Sequence, residues 1–197
     1  MIKTILFATN NFAKKGLVIP VFAEYGFDCV SLPDVGLGDC SPEETGETVV
    51  ENAVLKAQAV HSDGWPLVFS NDAGLAIDAL DGEPGVQTRR WNGHFPDTVD
   101  DETWLAYLLK RLQGVPLPQR TARFISAWVF IDPTGEIHTH QTTTPFQIAL
   151  KPLRPIVPGA PTSAVRIDPT GDFEKHSQEI AKHIRRWGIL NKLRQIC

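Results

Sequence analysis

Cysteine is scarce in this 197-residue sequence, and its few cysteines show neither a metal-binding nor a disulfide pattern. Cys29, Cys40 and Cys197 are widely separated, and no Cys-x-x-Cys spacing occurs. An odd number of scattered cysteines supports neither a zinc site nor a disulfide framework. Free thiols are typical of a reducing compartment, so we expect a cytoplasmic protein.

The sequence also lacks long apolar runs and an excess of basic residues. The first residues, MIKTILFATNN, hold an apolar stretch too short for a signal peptide. No run approaches the roughly 20 apolar residues of a membrane-spanning helix. The formal net charge is −4, whereas a nucleic-acid-binding surface normally carries a basic stripe. We therefore expect neither a membrane partner nor a nucleic-acid partner.

The remaining composition is that of a globular protein, with 42% hydrophobic and 21% charged residues. This length suits one domain, or one domain with a smaller lobe. Compact apolar runs at 4–9, 27–32 and 66–70 predict buried strands, and helical patterns lie between them. Residues 122–132 and 136–144, joined by Pro-Thr-Gly, predict a long hairpin. The pattern as a whole predicts an α/β fold with a mixed sheet.

Three further segments of the chain show helical patterns of different strength. After the first strand, Gly16 and Pro20 weaken the pattern and predict a short or kinked helix. Residues 100–112, in the middle of the chain, predict an amphipathic helix whose apolar residues are Trp104, Leu105, Leu108 and Leu112. Residues 179–195 predict one closing helix, whose apolar residues at helical spacing are Ile180, Ile184, Trp187 and Leu193.

The clearest helix start is a capping box made by Thr48 and Glu51. The apolar stripe of this helix consists of Val50, Ala53, Val54 and Ala57. Asn52 and Lys56 are one turn apart on the opposite face, so we expect both side chains to point to solvent or to a ligand.

The segment ATNNFAK, residues 8–14, joins the first strand to a helix start. Such a junction gathers backbone N–H groups and the positive end of a helix, which together favour an anion. Thr9 and Asn11 could donate hydrogen bonds to a phosphate, and Lys14 could add a positive charge. The same residues also suit an ordinary helix cap followed by a lysine in solvent.

Two polar residues, Asn71 and Asp72, directly follow the apolar run at 66–70, and small residues come after them. We expect the strand to end here, and ligands of α/β sheets bind beyond the carboxyl ends of strands. Carboxylate oxygens suit Mg²⁺, and Mg²⁺ suits phosphate chemistry. A turn that merely needs a polar cap is the alternative.

Three motifs occur in one order along the chain: ATNNxxK, EETGxTxxENAxxKA, and NDxGLxxDALxGxPGV followed by an arginine. Together they resemble the inosine triphosphate pyrophosphatase family. Its members cleave deaminated purine nucleoside triphosphates to the monophosphate and pyrophosphate. The resemblance extends from about residue 3 to residue 130 and is most specific in the first 90 residues.

The resemblance implies a role for each matching residue. It makes Glu44 and Asp72 ligands of Mg²⁺, with Mn²⁺ as an alternative ion. It makes Asp72 and Lys56 catalytic, with Asp72 positioning or deprotonating the attacking water. The substrate-binding residues that it implies are Thr9, Asn11, Lys14, Asn52, Arg90 and Arg186.

The resemblance also implies the architecture and the assembly. We expect residues 1–197 to form a single domain with two α/β lobes around a long central mixed sheet. The active site is expected in the cleft between the lobes, with a nucleoside triphosphate as substrate. Most family members are homodimers, so we expect a homodimer.

The sequence departs from the family pattern mainly where the base would be read. The family's DDSG is here NDAG, with Asn71 and Ala73 as the changed residues. PGAPTSAV, residues 158–165, stands where the family has GFGYDPIF, and residues 184–186 are IRR rather than SHR. Because specificity between bases needs matched hydrogen bonds, we expect weak discrimination among purine triphosphates, or a preference for a ligand outside the family's usual set.

Two alternatives remain open on the sequence alone. One is a phosphohydrolase acting on a different nucleotide or phosphorylated metabolite. The other is a nucleotide-binding protein without hydrolytic activity, which Asn71 and Ala73 favour. The retained Glu44 and Asp72 favour an enzyme, because a protein that only binds nucleotide would not need this acidic pair.

Overall fold

The computed structural model describes residues 4–40, 42–61, 64–168 and 174–196. Their contacts divide the chain into two compact units. The first unit comprises residues 1–72, 126–142 and 177–197, and the second comprises residues 73–125 and 143–176. Three strands, Val68–Ile77, Thr121–Ile131 and Ile137–Ile148, each contribute residues to both units.

Seven strands within the described residues form one mixed sheet. They are β1 (Thr4–Phe7), β2 (Asp28–Ser31), β3 (Val68–Ile77), β4 (Pro84–Gly85), β5 (Thr121–Ile131), β6 (Ile137–Ile148) and β7 (Arg166–Ile167). Their order is β2-β1-β3-β5-β6-β7, with β4 paired to β3. β1 runs parallel to β2 and β3, whereas β4 and β7 are antiparallel to β3 and β6. The predicted α/β fold with a mixed sheet and a long hairpin is confirmed.

Five α-helices occur in the described part of the chain: α1 (Phe12–Glu24), α2 (Val49–His61), α3 (Asp101–Arg111), α4 (Glu174–Trp187) and α5 (Ile189–Ile196). α1 is one continuous helix that includes Gly16 and Pro20. The prediction of a single closing helix is wrong. Gly188 separates α4 from α5 with φ +72°, a conformation that glycine adopts without steric cost. The side chain of Ile180 lies outside the described residues.

Strand β3 is longer than the sequence predicted. The expected end after Ser70 is wrong, because the strand continues through Asn71 and Asp72 to Ile77. The small residues that suggested a turn are followed by Leu75 and Ile77, which are both 0% exposed. Burial of these side chains in the second unit favours extended backbone over a turn. Asp72 therefore lies within a strand rather than at its end.

Each unit has its own apolar core. In the first unit, Phe69 packs against Phe7, Phe22 and Phe130, with ring centroids 4.9, 5.0 and 4.7 Å away. The core of the second unit includes Leu75 and Ile77 together with the apolar face of α3, whose predicted members Trp104, Leu105, Leu108 and Leu112 are all buried. Among the described residues, no helix combines the length and hydropathy needed to cross a bilayer.

Candidate active site

The first functional element is the junction between β1 and α1. Asn11 caps α1, because its Oδ1 accepts a hydrogen bond from Lys14 N at 3.1 Å. Thr9 Oγ1 in turn accepts from Asn11 N at 3.1 Å. The predicted helix start is therefore confirmed, and both side-chain oxygens accept hydrogen bonds within this turn. Contact of Thr9 or Asn11 with a phosphate stays a prediction.

Lys14 reaches from the first turn of α1 to strand β3. Its Nζ donates to the backbone oxygen of Asn71 at 3.3 Å. Burial and the nearby charge of Lys56 lower the pKa of Lys14 to about 8, against the opposing effect of Asp72 and Glu44. Lys14 is thus a half-buried cation beside an acidic pair, not the solvated lysine of the alternative interpretation.

Helix α2 begins with the predicted capping box. Thr48 Oγ1 accepts from Glu51 N at 3.2 Å, and Glu51 Oε2 accepts from Thr48 N at 3.1 Å. Glu51 Oε2 also accepts from Glu47 N at 2.7 Å. The start of α2 and the residues just before it are therefore tied together by side-chain to backbone hydrogen bonds.

The predicted orientation of α2 is wrong in one respect. Asn52, expected to point to solvent or to a ligand, is 1% exposed. Its Oδ1 accepts a hydrogen bond from Gly46 N at 2.8 Å. The preceding loop folds back over this face, so the buried residues of α2 are Val49, Asn52, Ala53, Ala57 and Val60. Val50 and Val54, predicted to be in the stripe, are only half-buried.

Lys56 lies at the centre of the site and contacts both predicted metal ligands. Its Nζ is 2.6 Å from Glu44 Oε1 and 2.6 Å from Asp72 Oδ1. Burial opposes the charged form of Lys56, but Asp72 and Glu44 outweigh it and raise the pKa of the ammonium. Because one ammonium contacts both carboxylates, their oxygens lie within common reach of a single cation.

Asp72 has one oxygen that the described residues leave unsatisfied. Its side chain is 8% exposed, and Oδ2 is buried without a hydrogen-bond partner. Burying a carboxylate oxygen in this way is costly unless a cation or donor reaches it. Together with Glu44, this oxygen offers the hard donors that a divalent cation prefers. The residues present therefore fit a bound Mg²⁺ or Mn²⁺.

Asn71, the residue that departs from the family's paired aspartates, bonds backbone carbonyls. Its Nδ2 donates to Ala127 O at 2.7 Å and to Asp72 O at 3.2 Å, and the residue is 5% exposed. Both partners are acceptors, which the amide satisfies and an ionised carboxylate could not, since it has no proton to donate.

A second acidic group lies at the turn between β5 and β6. Ligand atoms of Asp132, Glu136 and His138 are within 4.8 Å of one another. Asp132 Oδ1 accepts from Thr134 N at 2.8 Å and from Glu136 N at 3.1 Å, while Oδ2 lies 2.9 Å from His138 Nε2. Lys192 Nζ is 3.4 Å from Glu136. These contacts fasten the turn and leave no oxygen of Asp132 unpaired.

Two predicted substrate-binding residues lie outside this cluster: Arg90 is half-buried and Arg186 is exposed. Arg90, in the second unit, forms an ion pair with Asp97 at 2.7 Å from Nε to Oδ1. Arg186 is exposed on α4, and its neighbour Arg185 pairs with Glu24 at 2.7 Å. Contact of Arg90 and Arg186 with substrate stays a prediction.

Gly46 belongs to the second sequence motif, but sequence reasoning gave it no role. A Cβ atom added to Gly46 would lie 2.7 Å from Asn52 Oδ1 and 2.7 Å from Glu51 Cβ. The loop that carries Glu44 can therefore approach α2 only with glycine at this point. A glycine just before the capping box was the available signal, but it is also typical of any loop.

Comparison with known sequences places the chain in a family. The sequence model of the Ham1 family matches residues 5–154. The chain belongs to the Ham1 family. The dITP/XTP pyrophosphatase of Exiguobacterium sibiricum is 38% identical over 149 residues, which cover 75% of this chain and 72% of that protein. The dITP/XTP pyrophosphatase of Bacillus subtilis is 35% identical over 152 residues, covering 77% and 75%.

A further relative, the dITP/XTP pyrophosphatase of Rhodopseudomonas palustris, is 35% identical over 133 residues. There the match covers 68% of this chain and 62% of the relative's length. These relatives and the family match confirm the resemblance to inosine triphosphate pyrophosphatases that the three motifs predicted.

Solved structures agree with the fold. The Staphylococcus aureus Ham1 protein has a TM-score of 0.73 at 24% identity, with 96% of this chain and 99% of that chain covered. The nucleoside-triphosphatase / dITP/XTP pyrophosphatase from Mycobacterium abscessus has a TM-score of 0.65 at 28% identity, with 95% and 98% covered. Both therefore match nearly the whole chain.

Proposed function

We propose that this chain of the Ham1 family is a metal-dependent nucleoside triphosphate pyrophosphatase. It cleaves a nucleoside triphosphate, including deaminated purine nucleotides, to the monophosphate and pyrophosphate. The observation that carries the proposal is the contact of Lys56 with both Glu44 and Asp72, beside which Lys14 of α1 donates to the backbone oxygen of Asn71. The names of the relatives supply the substrate class.

The two lysines bind the phosphate tail. Lys56 stays an ammonium because its neighbours raise its pKa, and Lys14 is mainly an ammonium at neutral pH with a pKa of about 8. Fixed cations in a site of low solvent exposure stabilise the negative charge that grows on phosphate oxygens during cleavage. Thr9 and Asn11 support the same tail at the start of α1.

Asp72 positions the attacking water or deprotonates it. Its unsatisfied Oδ2 is an acceptor already buried in the site, and a general base must lie within hydrogen-bond reach of the proton it removes. Oδ1 meanwhile stays on Lys56, which fixes the orientation of the carboxylate.

Glu44 and Asp72 would hold the metal ion, with Mg²⁺ as the expected ion and Mn²⁺ as an alternative. When bound, such an ion supplies positive charge to the phosphate oxygens. The Asp132 group is not proposed for this role, because its donors already occupy both oxygens of Asp132.

The bonding of Asn71 weakens the alternative of a binding protein without hydrolytic activity. That alternative rested on Asn71 and Ala73, and at the first of these positions the side chain bonds Ala127 O and Asp72 O. The carboxylates that contact Lys56 are both retained.

The base side of the site is proposed to be less selective. Residues 158–165 and 184–186 differ from the family pattern, so we expect less than about 100-fold preference for inosine or xanthosine triphosphate over ATP and GTP. We also propose a cytoplasmic homodimer without nucleic-acid or membrane partners, on the strength of the family resemblance and the acidic net charge.

The test is a product assay over a panel of normal and deaminated nucleoside triphosphates, with Mg²⁺, with Mn²⁺ and with a chelator. The proposal expects equal amounts of monophosphate and pyrophosphate, and no turnover once the metal is removed. Release of inorganic phosphate would indicate the alternative phosphohydrolase, and tight binding without turnover would indicate the binding protein. Light scattering on the same sample measures the oligomeric state.

A further inference from the structure

We infer that Asn52 is a positioning residue: its side-chain oxygen holds the loop that carries Glu44 against α2. The inference rests on the proposed function for the role of Glu44. It assigns to Asn52 an action through the backbone of the protein, in place of the direct contact with substrate that the family resemblance implied.

The contact joins a buried side chain to a half-buried backbone N–H. Asn52 Oδ1 accepts from Gly46 N at 2.8 Å, and Asn52 is 1% exposed. A backbone N–H that is shielded from water and loses its acceptor destabilises the local conformation. The loop therefore has a strong preference for the position in which Gly46 meets this side chain.

The position of Gly46 has no room for a side chain. An added Cβ would lie 2.7 Å from Asn52 Oδ1, 2.7 Å from Glu51 Cβ and 3.0 Å from Asn52 N. Real Cβ atoms essentially never come as close as the first two of these distances. The absence of a side chain at Gly46 is thus what allows the loop backbone to reach α2.

The contact is coupled to the site through Glu44. Glu44 precedes Gly46 by two residues, a span of at most about 7 Å of chain. The Glu44 carboxylate is 2.6 Å from Lys56 Nζ, and Lys56 follows Asn52 by one helical turn on the same side of α2. One helix therefore holds the Glu44 side chain through Lys56 and its loop through Asn52.

Displacement of this loop would move a proposed metal ligand. A misplacement of about 1 Å at a reacting group can cost about 100-fold in rate. Asn52 therefore acts on turnover without touching the substrate. Glu51 holds the two residues after Gly46, because its carboxylate accepts hydrogen bonds from Glu47 N and Thr48 N.

The first test compares Asn52→Ala with Asn52→Asp. Asp keeps an acceptor for Gly46 N but lacks the amide N–H groups that a direct substrate contact would use. We expect kcat/KM to fall about 10–100-fold in the Ala variant and to return to within a few-fold of the parent in the Asp variant. If the Asp variant loses as much activity as the Ala variant while its Gly46 amide stays protected, Asn52 acts directly and the inference is wrong.

The second test approaches the same contact from the other side. Gly46→Ala should lower kcat/KM as Asn52→Ala does. The kcat/KM of the double variant should be no lower than that of the less active single variant. Residues that act through one contact are non-additive in this way. Multiplying losses in the double variant would show two independent effects and would overturn the inference.

Hydrogen exchange of the Gly46 amide supplies a readout that does not depend on activity. The Gly46 amide proton should exchange slowly in the parent and in Asn52→Asp, and fast in Asn52→Ala. Unchanged protection in Asn52→Ala would contradict the proposed contact. A parent that releases no pyrophosphate would refute the proposed function, while the exchange data would still test the contact.

The matched control is Asp100→Ala in the second unit. Asp100 caps α3 by accepting from Thr103 N at 2.7 Å, so its removal also deletes a side-chain to backbone bond at a helix start. We expect lower thermal stability and unchanged kcat/KM. An equal loss of kcat/KM in this variant would show that general destabilisation explains the effect at Asn52.

Discussion

Two acidic groups in the first unit differ in how completely their oxygens are satisfied. At the turn between β5 and β6, Asp132 accepts hydrogen bonds on both oxygens and lies beside His138. In the proposed site, Asp72 has one oxygen on Lys56 and one buried oxygen with no described partner. The turn group has more potential ligands, but of the two aspartates only Asp72 has a buried oxygen without a hydrogen-bond partner.

The difference shows that a count of carboxylates is a poor guide to a metal or catalytic site. Burial opposes the charged form of Asp132, but the bonds from Thr134 and His138 outweigh it and keep the pKa of its carboxyl well below the ordinary value. Those bonds stabilise the folded turn. At Asp72 the local environment is incomplete, which is costly for stability and useful for chemistry.

The largest expected effect on activity is that of Asp72→Asn. Loss of a general base commonly lowers turnover by about 100-fold or more, and the amide has the same shape, so folding should change little. Steady-state kinetics and a thermal melt measure both quantities. Turnover within a few-fold of the parent would mean that Asp72 is neither the base nor an essential ligand.

Next in size are the lysine variants. Lys14→Ala or Lys56→Ala should weaken binding of a triphosphate about 10–100-fold, the scale of a lost charged hydrogen bond, and weaken the matching monophosphate far less. Titration calorimetry with both nucleotides measures the difference. Equal losses for the two nucleotides would remove the lysines from the phosphate-tail site.

A smaller effect is expected from pH. The pKa of Lys14 is lowered to about 8, so its ammonium is complete at lower pH and is lost as pH rises through that value. Affinity for a triphosphate should therefore decline on the alkaline side, by up to about tenfold one pH unit above the pKa. Lys14→Arg, which stays charged at these pH values, should move that decline to higher pH. A decline unchanged in the Arg variant would assign it to another group.

The smallest effect on activity is expected at the turn between β5 and β6. Asp132→Ala should leave kcat/KM near the parent value while lowering stability by about 1–3 kcal/mol, since buried donors lose their acceptor. How this stability difference changes with pH follows from the lowered pKa of Asp132. Its stabilisation is present above the unfolded-state value and lost as pH falls through the folded one, so the variant and the parent should converge in acid. Denaturant unfolding at several pH values measures this. A large loss of activity without a loss of stability would make the turn part of the site.

Local sequence signals predicted much of the structure correctly. The capping box of Thr48 and Glu51, the cap at Asn11 and the long hairpin all occur where expected. These features depend on neighbours within a few residues, so their signals are complete in the sequence. The three motifs were also sufficient to predict the family, which the match to residues 5–154 confirms.

Tertiary structure decided what local patterns could not. Helical periodicity placed Asn52 on an open face, but the loop before α2 covers it and satisfies its oxygen. Small residues after Asp72 suggested a turn, yet burial of Leu75 and Ile77 extended the strand.

The contact of Glu44, Lys56 and Asp72 is likewise a tertiary fact. It joins a loop, a helix and a strand that are separated in the chain, so no local pattern encodes it. The sequence determined which charged residues this protein has and which family they belong to. Only packing of α2 against β3 and the loop decided that one lysine meets both carboxylates, because burial and ion pairing depend on all neighbours in space.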